Sequence, residues 1–101
     1  MPLNKWMNLM RKELSFITVI GLDKKGIVAK ISNILYLNDI NIEDISQKVM
    51  EGYFVMTMLV DMKDSKRSID EMRAELEKLG RSMKLKIQIQ HEDLFNTMHR
   101  I

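Results

Sequence analysis

The chain has 101 residues, 46% hydrophobic and 30% charged, enough for one compact domain with a core and too few for two. Its 16 basic and 14 acidic residues leave a net charge of +2, and the basic residues form no long block, which argues against a nucleic-acid binder. Cysteine is absent, which excludes disulfides, thiolate metal centres and thiol nucleophiles, and no apolar run nears the ~20 residues that span a bilayer.

Residues 1–12 read as an N-terminal extension ahead of a single domain over 13–101. Trp6 lies in this extension, and Met7 and Met10 are alternative starts. The extension lacks the continuous apolar segment of a signal peptide, so the expected location is the cytoplasm.

Residues 14–21 are a strand with apolar residues on both faces: Leu14, Phe16, Thr18 and Ile20 on one, Ser15, Ile17 and Val19 on the other. It is therefore expected in the centre of a sheet. A polar loop follows, Leu22-Asp23-Lys24-Lys25, closed by Gly26. The helical period of Ile27, Ile31 and Ile34 or Leu35 predicts a helix over 26–38, with Asp23 as an N-cap or pre-cap residue and Asn38-Asp39 as the stop. A strand–loop–helix joint exposes the first N–H groups of its helix and so offers a seat for a carboxylate, aided by Lys24 or Lys25. A tight connector in which Gly26 only permits close packing is the competing reading, and the loop alone does not decide between them.

Residues 40–50 are a second strand. Ile40 and Ile42 alternate, Ile45 falls out of step and Val49 keeps the phase of Ile45, which places a bulge near Glu43-Asp44. Its polar content marks an edge strand. Asn41 offers a donor and an acceptor there, or else bonds its own backbone. Glu51-Gly52 is a hairpin turn, and 53–61 is a third, central strand, apolar at nearly every position. Ser68 and Glu71 form a capping box that starts a second helix over 68–79, with Ile69, Met72, Leu76 and Leu79 buried and Gly80 as its terminator. Residues 83–90 alternate cleanly as a half-wet edge strand. An amphipathic tail helix over 91–101 carries Leu94, Phe95, Met98 and Ile101 on one side.

The order β-α-β-β-α-β is the ferredoxin-like α+β plan: a four-stranded antiparallel sheet with two helices on one face. One helix layer leaves the second sheet face open, so the tail or another subunit is expected to cover it.

Catalytic constellations do not emerge. Glu43, Asp44, Glu71, Glu75 and Glu77 form no paired acid and base, and no phosphate-loop pattern occurs. His91, Glu92, Asp93 and His99 lack metal-ligand spacing and read as solvated residues at helix ends. Met56, Met58, Met72 and Met83 read as core filling. An RNA-recognition domain shares this strand order, but Phe16, Tyr53 and Phe54 lack its basic, glycine-rich setting and read as core aromatics.

The run Ile17-Thr18-Val19-Ile20-Gly21-Leu22-Asp23-Lys24-Lys25-Gly26-Ile27-Val28-Ala29-Lys30-Ile31-Ser32, followed by Asn38-Asp39-Ile40-Asn41-Ile42-Glu43-Asp44-Ile45-Ser46-Gln47, resembles an ACT domain. The likeness extends through Gly52-Tyr53-Phe54 to Leu94-Phe95 and is strongest to small free-standing ACT-only proteins of prokaryotes, which are similar to the ACT halves of the glycine cleavage system transcriptional repressor. The resemblance implies a non-enzymatic regulatory module, without cofactor or metal, that binds an amino acid between subunits of a homodimer or larger homo-oligomer. Carried over by position, Leu22, Asp23, Lys24, Lys25, Gly26 and Ile27 form one half of the site, and Asn41 with Ile42 of a neighbouring subunit the other. Lys24-Lys25 stands where ACT domains of metabolic enzymes often carry Arg-Pro. With no enzyme or DNA-binding domain attached, regulation requires a separate protein partner; direct nucleic-acid or membrane binding is not expected. The alternative is a ligand-free interaction module that docks on a regulated protein.

Overall fold

A computed structural model of the chain describes residues 12–94. The elements are β1 (Leu14–Leu22), α1 (Ile27–Leu37), β2 (Asn41–Met50), β3 (Tyr53–Asp61), α2 (Ile69–Met83) and β4 (Leu85–His91). The sheet runs β2-β3-β1-β4 with every neighbouring pair antiparallel. The two strands with apolar residues on both faces are central, as their patterning requires, and the two more polar strands are the edges.

Ile17 and Val19 of β1, Phe54, Met56, Met58 and Val60 of β3, and Leu85, Ile87 and Ile89 of β4 form the buried sheet face. Ile27, Ile31 and Leu35 of α1 and Met72, Leu76 and Met83 of α2 close over it. The unbranched methionines fill this interface from both layers, as their flexibility suits.

Turn chemistry sets the joints. Helix α1 ends in a Schellman motif: Ile40 N–H reaches Leu35 O at 3.0 Å and Asp39 N–H reaches Tyr36 O at 3.1 Å. Asp39 supplies the left-handed residue, φ 57°, and Ile40 turns into the core beside Leu35. Glu51 and Gly52 both have positive φ, 51° and 84°, the signature of a type I′ hairpin between β2 and β3. The β2–β3 register slips between Ile42 and Asp44, so Glu43 is the bulged residue.

Two boundaries differ from those expected by more than one residue. Helix α2 does not stop at Gly80 but runs on to Met83, and β4 begins at Leu85 rather than at 83. Gly80 is there for close approach: a Cβ on it would lie 2.6 Å from Leu85 O. Met83 continues the buried stripe of Met72, Leu76 and Gly80, and the helix ends at Lys84, which takes φ 56° and donates its N–H to Gly80 O. The start of α2 is as expected, with both bonds of the Ser68–Glu71 capping box present. Of the expected tail helix, only a short helical turn at 92–94 lies within the described residues.

Cross-strand partners share a face. The face away from the helices therefore reads in rows across β2, β3 and β1: Met50–Tyr53–Leu22, Lys48–Val55–Ile20, Ser46–Thr57–Thr18, Asp44–Leu59–Phe16 and Asn41–Asp61–Leu14. Strand β4 adds Lys86, Gln88 and Gln90 to the three middle rows. At one end of this face Ile20, Leu22, Met50 and Tyr53 are all at least half exposed. On the helix side of β2, Ile45 and Val49 also reach solvent, because the helix layer stops short of the edge strand.

Candidate functional site

The β1–α1 loop is anchored at two points. Asp23 N–H donates to Gly52 O at 2.8 Å, joining the loop to the β2–β3 hairpin. Lys24 Nζ donates to the carbonyl of Met83, joining it to the last turn of α2. Gly26 then takes φ 84° as the N-cap of α1, a left-handed geometry that L side chains resist. This is why Asp23 is not the cap: the helix starts after Gly26, three residues further on, and no side chain caps it. Lys30 N–H is the donor to Gly26 O, at 2.9 Å. The N–H groups of Ile27, Val28 and Ala29 thus precede the first helical bond, and the first turn carries no acid. Helix α2 differs, since Ser68 and Glu71 occupy its N-terminus. A helix end of this kind carries a positive partial charge of roughly half an electron and favours an anion.

Leu22, Asp23, Lys24, Lys25 and Gly26 are exposed, whereas the Ile27 side chain is buried in the core and leaves only its backbone for a ligand. Lys24 is committed to α2, so Lys25 is the loop cation without a structural bond among the described residues.

Asn41 and Ile42 lie at the other end of the sheet. Asn41 pairs with Asp61, far from the Met50–Tyr53 row beside the loop. Nine strand steps separate Asn41 from Met50, about 30 Å at ~3.3 Å per residue. One chain therefore does not bring the two groups of candidate residues together. Asn41 is exposed and borders a hollow of about 330 Å³ with Tyr36, Asp39, Ile40 and Asp64. Its Nδ2 donates to Glu43 Oε2, and Glu43 also accepts from Lys12. The Lys12 hydrogen bond is the main reason that the Glu43 carboxyl sits below its ordinary pKa. One amide hydrogen and the carbonyl oxygen of Asn41 remain for another partner. Ile42 is half-buried and packs on the core.

Among the described residues no group of three or more acids and histidines could hold a metal ion. His91 Nδ1 accepts the Asp93 N–H at 3.1 Å, a helix-start bond rather than a ligand arrangement; His99 lies outside the described residues. A groove of about 710 Å³ runs between the helices past Ile34, Arg67, Ala74 and Lys78, and none of the candidate ligand residues borders it. No helix of the described residues is long and apolar enough to cross a membrane. The Lys24–Met83 bond spans 59 positions and carries no local sequence signal.

Known proteins match this chain in sequence and fold. The ACT domain family model matches residues 13–90. A UPF0237 protein from Methanococcus maripaludis is 48% identical over 85 residues, 84% of this chain and 94% of that protein. Among solved structures, an ACT domain protein from Streptococcus pneumoniae superposes with a TM-score of 0.73 at 39% identity, covering 83% of this chain and 94% of its own. A putative glycine cleavage system transcriptional repressor shares the fold, with a TM-score of 0.69 at 22% identity over 79% of this chain and 45% of its own. With a four-stranded sheet and two helices in ferredoxin-like order, and with small ACT-only relatives matched over nearly their full length, the chain belongs to the ACT domain family.

Proposed function

We propose that the chain is a non-catalytic regulatory module that binds a small ligand, an amino acid, between two subunits. The observation that carries this reading is the start of α1: three N–H groups without a side-chain cap, no acid in the first turn, and Lys25 beside them. A carboxylate meets both the backbone donors and the positive helix end there.

The second half of the site comes from symmetry. Strand β2 is an edge, and a two-fold axis would pair it antiparallel with its own copy. Antiparallel pairing sets the Asn41 end of one β2 beside the Met50 end of the other, on the side of the sheet end where the loop is tied to Gly52. Asn41 and Ile42 of the neighbouring subunit then approach residues 22–27. Ile45, Val49, Tyr36 and Leu37, all exposed on or near this edge, supply apolar area for the contact. A ligand held across two chains stabilises the assembled state by its greater affinity for it, and that shift is the regulatory output passed to a protein partner in the cytoplasm.

A thermal-shift screen of the standard amino acids at millimolar concentration tests this reading, with Asn41→Ala as the control. At least one amino acid raises the melting temperature of the wild type and not of the variant. A flat response to all of them counts against the reading.

A further inference from the structure

The sheet face away from the helices is patterned for a second copy of this chain. We propose that two copies pack through these faces about a two-fold axis running across the strands, along the Ser46–Thr57–Thr18–Gln88 row. This contact is separate from the β2-edge pairing proposed above and stands without it.

Three features of the face support a second copy as its occupant. The first is apolar area in the wrong place for an isolated chain: Ile20 is 51% exposed, Leu22 59% and Tyr53 54%. A contiguous patch of this kind marks an interaction surface. The second is self-complementarity. An axis along the central row lays each strand over its own copy in the opposite direction. Val55 then meets Leu59, and Leu22 meets Leu14, because each pair lies on one strand at equal distances from that row. The two sheets keep their strands aligned, the usual arrangement for sheets stacked ~10 Å apart.

The third feature is charge, and it selects the orientation. Lys48 and Asp44 lie on β2 on either side of the central row, both exposed, neither in a salt bridge among the described residues. An axis across the strands sets each Lys48 over the Asp44 of the other copy, and does so twice. It also sets Lys86 over Gln90, a neutral acceptor. The alternative two-fold, along the strands, lays β2 over β4 and sets Lys48 against Lys86, twice, so like charges oppose it. The face measures about 30 Å along the strands and somewhat under 20 Å across them, so two copies bury roughly 1,000 Å² or more. That is the lower end of the range for specific interfaces, so the contact should respond to concentration and salt.

The chain has no cysteine, so Gln88→Cys supplies a single thiol. Gln88 sits on the proposed axis at the β4 edge. In the face-to-face pair the two thiols lie about 10 Å apart, within reach of a short bis-maleimide. In a pair joined only through β2 they lie at opposite ends of eight strands, more than 30 Å apart. Efficient cross-linking of the full-length Q88C chain to a dimer, above the level of random collision, is the expected result. Its absence in a sample that light scattering shows to be dimeric overturns the face-to-face contact and leaves the edge pairing intact; its absence in a monomer overturns both. Sedimentation equilibrium supplies the second arm. Lys48→Asp should weaken self-association about tenfold, ~1.4 kcal/mol, and Lys48→Asp combined with Asp44→Lys should restore it. A swap that fails to restore association also overturns the proposal.

Discussion

Asp23 donates its backbone N–H to the Gly52 carbonyl at 2.8 Å, so the β1–α1 loop and the β2–β3 hairpin form one corner of the molecule. The loop that leads into the candidate anion seat at α1 is therefore held at Asp23 by a turn 29 residues away in sequence, and changes in that turn should reach the loop.

Gly52 and Gly26 both have φ near 84°, with no close neighbour for an added Cβ: nothing within 4 Å at Gly52 and only Lys30 Cε at 4.0 Å at Gly26. Alanine at either position thus incurs backbone strain alone, about 1–2 kcal/mol. Each variant should fold and melt several degrees lower. A fall of twenty degrees or loss of folding would mean that the space is not open.

Gly80→Ala should behave differently. Its Cβ meets Leu85 O at 2.6 Å, and a backbone oxygen cannot rotate away. Helix α2 must shift off β4, with an overpacking cost of about 1–3 kcal/mol and increased amide exchange around residues 80–87. A melting temperature equal to that of the wild type would contradict the close approach.

Ser68→Ala removes one half of the capping box and should cost about 1 kcal/mol. The box also makes stability depend on pH. Hydrogen bonds from Ser68, backbone first, hold the Glu71 carboxyl below its ordinary pKa. A group lowered by folding contributes stability above its unfolded value and loses it as pH falls through the folded value. Glu43, lowered chiefly by Lys12, acts in the same direction. Melting curves from neutral pH down through the carboxylate range should show the gap between wild type and Glu71→Gln narrowing as the medium becomes acidic. A gap that widens would contradict the sign.

The two loop lysines should separate. Lys24→Ala removes the donor to Met83 O and should lower stability by under ~1 kcal/mol, since the lysine is exposed. Lys25→Ala should leave the melting temperature of the free protein unchanged and reduce the ligand-induced shift more than Lys24→Ala does. The reverse ranking would place Lys24 at the ligand.

Much of this architecture is legible locally. The bulge at Glu43 is visible because Ile42 and Ile45 fall out of phase, and the start of α2 because Ser68 and Glu71 carry the capping chemistry within four residues. Gly80 misleads because glycine serves two purposes: it ends helices, and it lets a helix lie on a strand. Only the position of Leu85 decides between them. Asp23 misleads for a related reason, since the left-handed Gly26 takes the cap position itself. The site is less legible than the fold. Lys24 reads as a free loop cation until α2 brings Met83 to it, and Asn41 reads as near the loop only when a second chain is supplied. Phe95 and Met98, on the apolar side of the expected tail helix, lie outside the described residues.

The central claim is that one chain contributes the loop and another contributes Asn41. Complementation tests it most directly. Asn41→Ala and Lys25→Glu chains, each expected to give no ligand-induced shift alone, are mixed, unfolded together and refolded, and the ligand-induced thermal shift is measured. Mixed pairs then contain one intact site, formed by the loop of the first variant and the Asn41 of the second, so part of the wild-type response returns. A mixture as unresponsive as either variant alone, with exchange of subunits verified by mass spectrometry, contradicts a site shared between two chains.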